Sequence, residues 1–464
     1  MALIASLIFA VLISILLAFT RERGTKRSAA LFLAFAWLWF ACSRSPTGWL
    51  QIQGGGGKAS ANTAYDEGSA LDRNLLTGLM LAGVIVLARR SKRTTAFLSA
   101  NLPVILFFLY CGLSAAWSDH ADISIKRWFR GAGDLVMVTV ILTDTDWAGS
   151  FKWVYSRLAC ILVPLSVLFF RWFPAFGRNY NIHDGHISVT GVTDDKNLLG
   201  AICMLFALTA AWCMIEAPLM ERARRKKFFI GYGAVIAVII YLINLADSAT
   251  ATACLIEGGA VLFLACMPRI SKRPALLHLI VATVLGFTAV NLFFGGTLLA
   301  MFGRNPSLTG RTELWALCLT LVRNPLLGAG YESFWLGSRL ERMWAYIWGV
   351  NQAHNGYLEI YLNLGWVGVG LLVSVLISGY RNIIRAIRRQ EPTASLRLAF
   401  FVVVCISNCT EAGFKMMHPM WLALLLVSTA RPASNLVRQR LTRSAEPTRK
   451  FSETPDFTSA LASK

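Results

Sequence analysis

The sequence is 464 residues long, 56% hydrophobic and only 15% charged, with a mean hydropathy of +0.55 and a formal net charge of +20. Soluble domains carry about 25% charged residues, so this composition excludes an ordinary soluble protein. The positive charge lies in short clusters between apolar stretches, which argues against nucleic acid as a partner and favours contact with membrane lipids. The clusters are at 21–27, 89–93, 222–227, 269–273 and 381–389.

Thirteen apolar stretches follow one another along the chain, most of them close to the ~20 residues that cross hydrocarbon as a helix. They lie at 1–19, 28–42, 74–88, 96–117, 131–147, 151–172, 197–217, 228–247, 249–267, 275–295, 355–379, 396–412 and 414–430. We therefore predict an all-α fold, a polytopic integral membrane bundle of about 12–13 transmembrane helices across residues 1–430. The first stretch has no basic residue before its apolar core, so we interpret it as a retained helix.

Alternation of the thirteen spans places every basic cluster on one side of the membrane, as the positive-inside rule expects of cytoplasmic loops. The opposite, external side then receives 43–73, 118–130, 173–196 and the large loop 296–354. That large loop holds five Arg and no Lys in 59 residues. Residues 431–464 are basic, carry Ser, Thr and Pro and lack an apolar period, so they are predicted to be a disordered cytoplasmic tail.

The large external loop has a helical pattern of its own. Apolar residues from Leu314 to Val322 follow the spacing of an amphipathic helix, which Thr309 can cap and Asn324-Pro325 would end. We expect this helix to lie along the membrane surface, with Arg311 at its amino end pointing away from the lipid. A solvated charge is the simpler alternative for this arginine.

His354 closes the large loop, directly before the long span 355–379. The positive end of a helix dipole disfavours a charged imidazole, so a neutral histidine able to accept a proton is expected here. The free N–H groups of the same helix end can bind a phosphate. An arginine, a neutral histidine and a helix amino terminus would suit a lipid-linked anionic substrate. A helix-capping role for His354 is the alternative.

Loop 173–196 carries another polar group of residues, which could hold a metal, contact a glycan or phosphate, or be solvated. They are Arg178, His183, Asp184, His186, Asp194, Asp195 and Lys196. The two histidines lack a convincing set of partner ligands, so no metal is predicted. Asp144-Thr145-Asp146 has the form of a metal-binding motif, but it falls on the cytoplasmic side and is interpreted as a helix-end turn. Glu257 and Glu411 lie in or beside apolar stretches, where acids are often functional, and their partners are not predicted.

Several stretches within 194–365 resemble the conserved sequence of the O-antigen ligase and Wzy-type polysaccharide polymerase family. They read Gly310-Arg311-Thr312-Glu313-Leu314-Trp315, Asn324-Pro325-Leu326-Leu327-Gly328-Ala329-Gly330, His354-Asn355-Gly356-Tyr357-Leu358 and Asn363-Leu364-Gly365. A further stretch is similar to a motif of the exopolysaccharide polymerisation branch, Asp194-Asp195-Lys196-Asn197-Leu198-Leu199-Gly200.

This resemblance implies an enzyme of the bacterial inner membrane with its active face outside the cytoplasm. Such enzymes transfer a glycan from an undecaprenyl diphosphate carrier to a sugar hydroxyl, without a nucleotide sugar. By resemblance, Arg311 and His354 are the catalytic residues. Substrate contacts are expected from Arg178, Asp195, Lys196 and Asn355. No cofactor or metal is implied, and a flippase and a chain-length regulator are the protein partners implied.

Ligases of this family usually carry a further arginine beside a serine, before the span that corresponds to 249–267. Here residues 246–252 contain Ser248 and no arginine. The departure favours a polymerase over a ligase, with Arg178 or Lys196 binding the diphosphate instead. A flippase for the same lipid-linked sugar is the third alternative, but the chain shows no pair of related halves of the kind found in transporters.

Overall fold

The computed structural model describes residues 1–21, 27–54, 69–180, 187–217, 221–301, 309–347 and 349–430. The tail predicted at 431–464 lies outside the described residues. The described part is helical apart from turns, loops and one two-stranded antiparallel hairpin.

The first part of the chain supplies nine helices among the described residues: α1 (Ala2–Phe19), α2 (Leu31–Ala41), α3 (Pro46–Gly54), α4 (Ala70–Arg89), α5 (Ser91–Ala100), α6 (Leu102–Leu113), α7 (Ala121–Leu142), α8 (Trp147–Trp172) and α9 (Pro174–Gly177). A short 3₁₀ helix, Ser114–Trp117, follows α6 directly. The hairpin then pairs β1 (Arg178–Tyr180) with β2 (Ile187–Val189), and Arg178 lies opposite Val189.

The remaining described helices are α10 (Lys196–Glu216), α11 (Arg222–Ala246), α12 (Ala249–Cys266), α13 (Pro268–Ser271), α14 (Pro274–Met301), α15 (Thr309–Thr320), α16 (Gly337–Tyr346), α17 (Gly356–Arg388), α18 (Ala394–Ser407) and α19 (Pro419–Ser428).

Every one of the thirteen predicted apolar stretches contains a helix. Seven described helices are long and apolar enough to cross a bilayer, namely α1, α4, α8, α10, α11, α12 and α17. Helices α5 and α6 meet at 87° and pass the same test together as one broken span. Four further helical segments are apolar but shorter: α2, α18, α19 and the Pro274–Val290 part of α14. The chain is a multi-pass, all-α membrane protein, as predicted.

Three of the predicted external loops contain regular structure that hydropathy did not indicate. Helix α7 begins at Ala121, inside the predicted loop 118–130, because its polar first turns bind the chain from another part of the molecule. Ser124 is buried there and donates a hydrogen bond to the Tyr331 carbonyl oxygen at 2.9 Å. Helix α3 lies within 43–73, and the hairpin lies within 173–196.

The core of the bundle is formed by helices that are buried along much of their length. In the apolar window of α10, 78% of residues are buried, against 11% in α1 at the periphery. Small residues let the central helices approach closely, as is usual in membranes. A β-carbon at Gly258 of α12 would lie 2.3 Å from a Val403 methyl carbon of α18, and one at Gly200 would lie 2.8 Å from the Ala251 β-carbon.

The described part of segment 296–354 folds onto the first turns of α17. As predicted, α15 is a helix that ends before Asn324-Pro325. Its apolar face, however, packs against other parts of the protein. Leu314 and Cys318 are buried in a second apolar cluster with Phe334, Met343 and Leu362. The expected surface helix is therefore packed against protein, because the following loop and α16 supply apolar partners.

Two glycine-containing stretches lock this segment to α17. Gly365 has φ +62° and breaks the regular helix, which frees backbone groups for Pro325 and Leu326. The Trp366 N–H donates to Pro325 O at 3.0 Å, and the Val367 N–H donates to Leu326 O at 3.2 Å. Gly328 has φ +74°, and a β-carbon there would lie 2.5 Å from the Asn363 carbonyl carbon. Only glycine fits both the left-handed backbone and the close approach.

Candidate active site

The candidate residues gather at one end of the helical bundle. Helices α10, α12 and α17 begin there, and α11 ends there. The basic clusters 222–227, 269–273 and 381–389 occupy the other ends of α11, α12 and α17. The candidate site and these basic clusters therefore lie at opposite ends of the bundle.

Glu411, in the loop between α18 and α19, is the centre of the site. Its Oε1 lies 3.4 Å from Arg311 Nη2, and its Oε2 lies 3.4 Å from His354 Nδ1. Asn197, in the first turn of α10, donates from Nδ2 to the same Oε2 at 3.1 Å. The Glu411 side chain is only 16% exposed. One shielded carboxylate thus holds together groups that are far apart in sequence.

Arg311 is fixed by a second contact with the same loop. Its Nη1 donates to the Thr410 carbonyl oxygen at 2.6 Å. A guanidinium has five N–H donors, so these two contacts leave donors that can bind an oxyanion. The Arg311 side chain is 27% exposed, which gives a ligand access to it. Thr410 Oγ1 lies 3.4 Å from Thr250 Oγ1, so the arginine-free stretch 246–252 adjoins the site.

His354 has an unusual backbone conformation that aims its ring at Glu411. Its φ is +49°, in the left-handed region that few residues other than glycine adopt. The loop after α18 holds this conformation in place, since the Gly356 N–H donates to Asn408 O at 2.8 Å and to Glu411 O at 3.0 Å. When Nδ1 carries the proton and donates it to the carboxylate, Nε2 keeps a lone pair. The ring can then accept a proton at Nε2.

The capping alternative for His354 is wrong, because Asn355 caps α17. Asn355 Oδ1 accepts hydrogen bonds from the Tyr357 N–H at 3.0 Å and the Leu358 N–H at 3.1 Å. This places Asn355 beside the site with its side-chain oxygen already engaged. Its expected contact with substrate stays a prediction.

The residues expected from loop 173–196 divide into two groups. Asp195 caps α10 by accepting from the Leu198 N–H at 2.8 Å, and Lys196 follows it, one residue before Asn197. Both therefore adjoin the site. Arg178 instead belongs to the hairpin, where its Nε donates to Phe170 O at 3.1 Å and its guanidinium lies 4.6 Å from the Phe170 ring.

The metal alternative for this loop gains no support from the described part. His183, Asp184 and His186 lie outside the described residues. Asp194 forms an ion pair with Arg44, at 3.7 Å between Oδ1 and Nε. Within the described ranges, no three His, Cys, Asp or Glu side chains are placed to share a metal ion. Asp146 caps α8 by accepting from the Gly149 N–H at 3.1 Å, which agrees with the predicted helix-end turn.

The charges of the site combine the carboxylates of Glu411 and Asp195 with positive groups that can bind an anion. The amino ends of α10, α12 and α17 carry the caps Asp195, Ser248 and Asn355. Each such end has a partial positive charge from unpaired N–H groups. Together with the Arg311 guanidinium, these ends form an environment suited to a phosphate or diphosphate.

A narrow cleft with a mixed polar and apolar lining lies beside Gln352, two residues before His354. Lys415 donates from Nζ to Gln352 Oε1 at 3.2 Å, and Gln352 Nε2 lies 3.5 Å from His354 Nδ1. Burial raises the pKa of Glu332, which also lines the cleft, while Arg127 and Lys415 partly oppose this rise. Charged and neutral hydrogen-bonding groups therefore lie next to the histidine.

Sequence reasoning did not assign Glu411 and Asn197 to the site. The signal for Glu411 was an acidic residue between two apolar stretches, where an ionised group needs a partner. Asn197 lay within the motif at 194–200, but its neighbours Asp195 and Lys196 were assigned to the site instead. Arg311 and His354, which were assigned, are brought together by the structure through the shared carboxylate.

Comparison with known proteins covers part of this site, and Glu411 and Asn197 lie outside the matched residues. Residues 232–373 match the family model described as O-antigen ligase. The match begins in α11, ends in α17 and includes both Arg311 and His354. The chain is also similar to the exopolysaccharide production protein ExoQ of Rhizobium meliloti (strain 1021), at 26% identity over 296 residues. That alignment covers 61% of this chain and 65% of the relative, so it spans slightly less than two thirds of the relative's length.

Proposed function

We propose that this chain, which belongs to the O-antigen ligase and ExoQ-like family, polymerises lipid-linked oligosaccharide repeats into an extracellular polysaccharide. The observation that carries the proposal is the joint contact of Arg311 and His354 with Glu411 at one end of the bundle. One group can stabilise a leaving anion and the other can accept a proton. Glycosyl transfer from a diphosphate carrier needs both.

The donor in this proposal is an undecaprenyl diphosphate that carries the glycan. Its lipid would remain in the bilayer, and its diphosphate would reach the helix amino ends beside Arg311. Negative charge grows on the diphosphate as the bond to the anomeric carbon breaks. Arg311 would stabilise that charge with its remaining N–H donors. Lys196, which directly precedes Asn197 in the chain, would assist Arg311 in binding the diphosphate.

The acceptor in this proposal is a sugar hydroxyl that approaches His354 Nε2 from the side of Gln352 and Lys415. The hydroxyl oxygen attacks the anomeric carbon, the carbon–oxygen bond to the diphosphate breaks, and the diphosphate leaves with the electron pair. His354 Nε2 accepts the hydroxyl proton. Glu411 holds the ring in the required orientation and stabilises the imidazolium that results, as a carboxylate does in other histidine-dependent enzymes.

The remaining features of the proposal follow from the chemistry of the site. The reaction would proceed without a metal, because Arg311 supplies the positive charge that a metal gives to nucleotide-sugar transferases. The site would face the outside of the bacterial inner membrane, since the basic clusters that mark cytoplasmic loops lie at the opposite end of the bundle. A flippase would deliver the substrate, and a chain-length regulator would act on the product.

Ligation to a lipid acceptor is the second candidate. It is favoured by the description of the matched family, O-antigen ligase. The absence of an arginine from residues 246–252, and the similarity to a protein named for exopolysaccharide production, favour polymerisation.

Reconstitution tests these alternatives. The purified protein in lipid vesicles is given undecaprenyl-diphosphate-linked repeats, alone or with a lipid acceptor. A polymerase yields a ladder of joined repeats without the acceptor, and Arg311→Ala should abolish the ladder. Transfer only to the lipid acceptor would identify a ligase. Movement of the repeat across the bilayer without transfer would identify a flippase and overturn the proposal.

A further inference from the structure

A second cleft, separate from the Glu411 centre, lies between the start of α7 and the chain that follows α15. Its empty space measures about 560 Å³, which includes solvent at its open mouth. Its lining includes Trp117, Asp119, Arg323, Asn324 and Arg339. An aromatic ring beside planar carboxylate, amide and guanidinium groups is a combination suited to a sugar, which presents an apolar face and a ring of hydroxyls.

The polar floor of this cleft is held rigidly. Arg339 has a side chain only 7% exposed and donates to Asp119 Oδ2 from Nη1. It also donates from Nε to Phe334 O and from Nη2 to Ser333 O, both at 3.1 Å. The hydrogen bond from Arg339 holds the pKa of Asp119 below its usual range. Asp119 is therefore a fixed, ionised hydrogen-bond acceptor whose side chain is still 48% exposed.

The rim of the cleft supplies a donor and a ring. Arg323 Nη1 lies 3.7 Å from Asp119 Oδ2, and the arginine side chain is 66% exposed, so a ligand can reach it. The Trp117 indole donates from Nε1 to Leu327 O at 3.3 Å, which fixes the ring plane. A sugar in the cleft can thus pair two hydroxyls with the carboxylate and guanidinium while one face contacts the indole.

The position of the cleft relates it to the reacting centre. Arg311 lies near the amino end of α15, and Arg323 follows the helix three residues after Thr320. The nine helical steps from Arg311 to Thr320 span roughly 14 Å. A glycan whose reacting sugar lies beside Arg311 and His354 would reach the cleft only after several sugar units.

We propose that this cleft, lined by Trp117, Asp119 and Arg323, binds a sugar of the growing glycan several units away from the reacting end. The inference rests on the proposed function, because it takes the glycan chain to be the substrate. A distant subsite would retain a long chain between additions and so favour long products. Short chains could not reach it.

The experiment compares full-length proteins reconstituted in lipid vesicles with undecaprenyl-diphosphate-linked repeats. For Arg323→Ala, we expect the KM for a carrier-linked chain of several repeats to rise about tenfold, the effect of one charge-assisted hydrogen bond. The kcat should fall much less, and the products should become shorter. Arg342→Ala is the matched control, since Arg342 is an exposed arginine of α16 that does not line the cleft. It should retain the wild-type KM and product length.

The possible results separate this inference from the proposed function. If the wild type joins no repeats at all, both fail. If the wild type makes polymer and Arg323→Ala gives the same KM and product length, only the distant subsite fails. Should Arg323→Ala not reach the membrane, competition on the wild type decides. A carrier-free fragment of several repeats should then inhibit elongation while a single repeat does not, and equal inhibition by both would overturn the subsite.

Discussion

At the scale of single residues, the site depends on one carboxylate shared between an arginine and a histidine. Glu411 lies 57 positions from His354 and 100 from Arg311 in sequence, so no local pattern could have linked the three. The resemblance of residues 310–315 and 354–358 to the family's sequence indicated which arginine and histidine to consider. The capping role of the next residue, Asn355, could have been inferred, because asparagine is a preferred helix cap and histidine is not.

His354→Asn tests the role of the imidazole. Because Asn355 supplies the helix cap, the substitution should leave a stable protein in the membrane. The loss of the proton acceptor should lower the rate of repeat joining by roughly 10²–10⁴-fold. Chain length of the product and rate in vesicles measure the effect, and Asn355→Ser, which keeps a capping oxygen, is the control for folding. Full-length polymer from His354→Asn would make the histidine structural.

Glu411→Gln tests the shared carboxylate. The amide keeps the size of the side chain but lacks the charge that faces both Arg311 and His354. A hydrogen bond to a charged group contributes about 1.5–3 kcal/mol, so kcat should fall at least tenfold. The pH dependence of kcat should also change, because the imidazolium loses its stabilising partner. Glu341→Gln, an exposed acid on α16, should retain wild-type values. An unchanged pH profile for Glu411→Gln would refute the positioning role.

At the scale of elements, hydropathy located helices well and loops poorly. The thirteen apolar stretches all contain helices because burial in lipid requires each backbone to satisfy its own hydrogen bonds. The start of α7 was missed because its polar side chains bind a distant loop through Ser124 and Arg127. The contact of Gly328 with α17 at Gly365, where the regular helix is interrupted, could not be predicted from hydropathy either. The glycines were visible in the sequence, but their contact across 37 positions was not.

Gly328→Ala tests that contact. A β-carbon there would meet the backbone of Asn363 at 2.5 Å in a left-handed conformation, so the segment cannot keep its position. Strained backbone of this kind costs about 1–3 kcal/mol, and the clash adds to it. We expect a lower thermal unfolding midpoint in detergent and reduced repeat joining, because α15 carries Arg311. Gly370→Ala is the matched control, since a β-carbon at that position of α17 meets nothing within 4 Å. Equal midpoints for the two variants would contradict this contact.

At the scale of the whole molecule, chain direction divides the bundle into a basic end and an end that holds the site. The division depends on helices α11, α12 and α17, each of which carries a basic cluster at one end and a site segment at the other. Hydropathy and charge predicted this division, because both follow from the energetics of insertion. Hydropathy and charge could not predict that Asn197, Arg311 and His354 meet at Glu411, since this depends on tertiary packing.

Activity of the whole enzyme should not depend on a divalent metal. The positive charge at the proposed leaving group comes from Arg311 and helix amino ends, which chelators do not remove. Repeat joining in vesicles should therefore survive EDTA within a factor of about two, a change well under 1 kcal/mol. If activity is lost and added Mg²⁺ or Mn²⁺ restores it, a metal takes part, and Asp194 and Asp195 become the first candidates as ligands.

Membrane orientation is the remaining test of the whole molecule. If basic loops stay in the cytoplasm, the site end must face outward, because α11 carries its basic cluster at one end and reaches the site at the other. A reporter that works only outside the cytoplasm should be active when fused near Ser338, in α16. The same reporter fused near Arg225, in the first turn of α11, should be silent. A reporter that works only in the cytoplasm should give the opposite pattern at both positions. If both reporters invert, Arg311, His354 and Glu411 face the cytoplasm, where a nucleotide sugar and not an externalised lipid carrier would be the available donor.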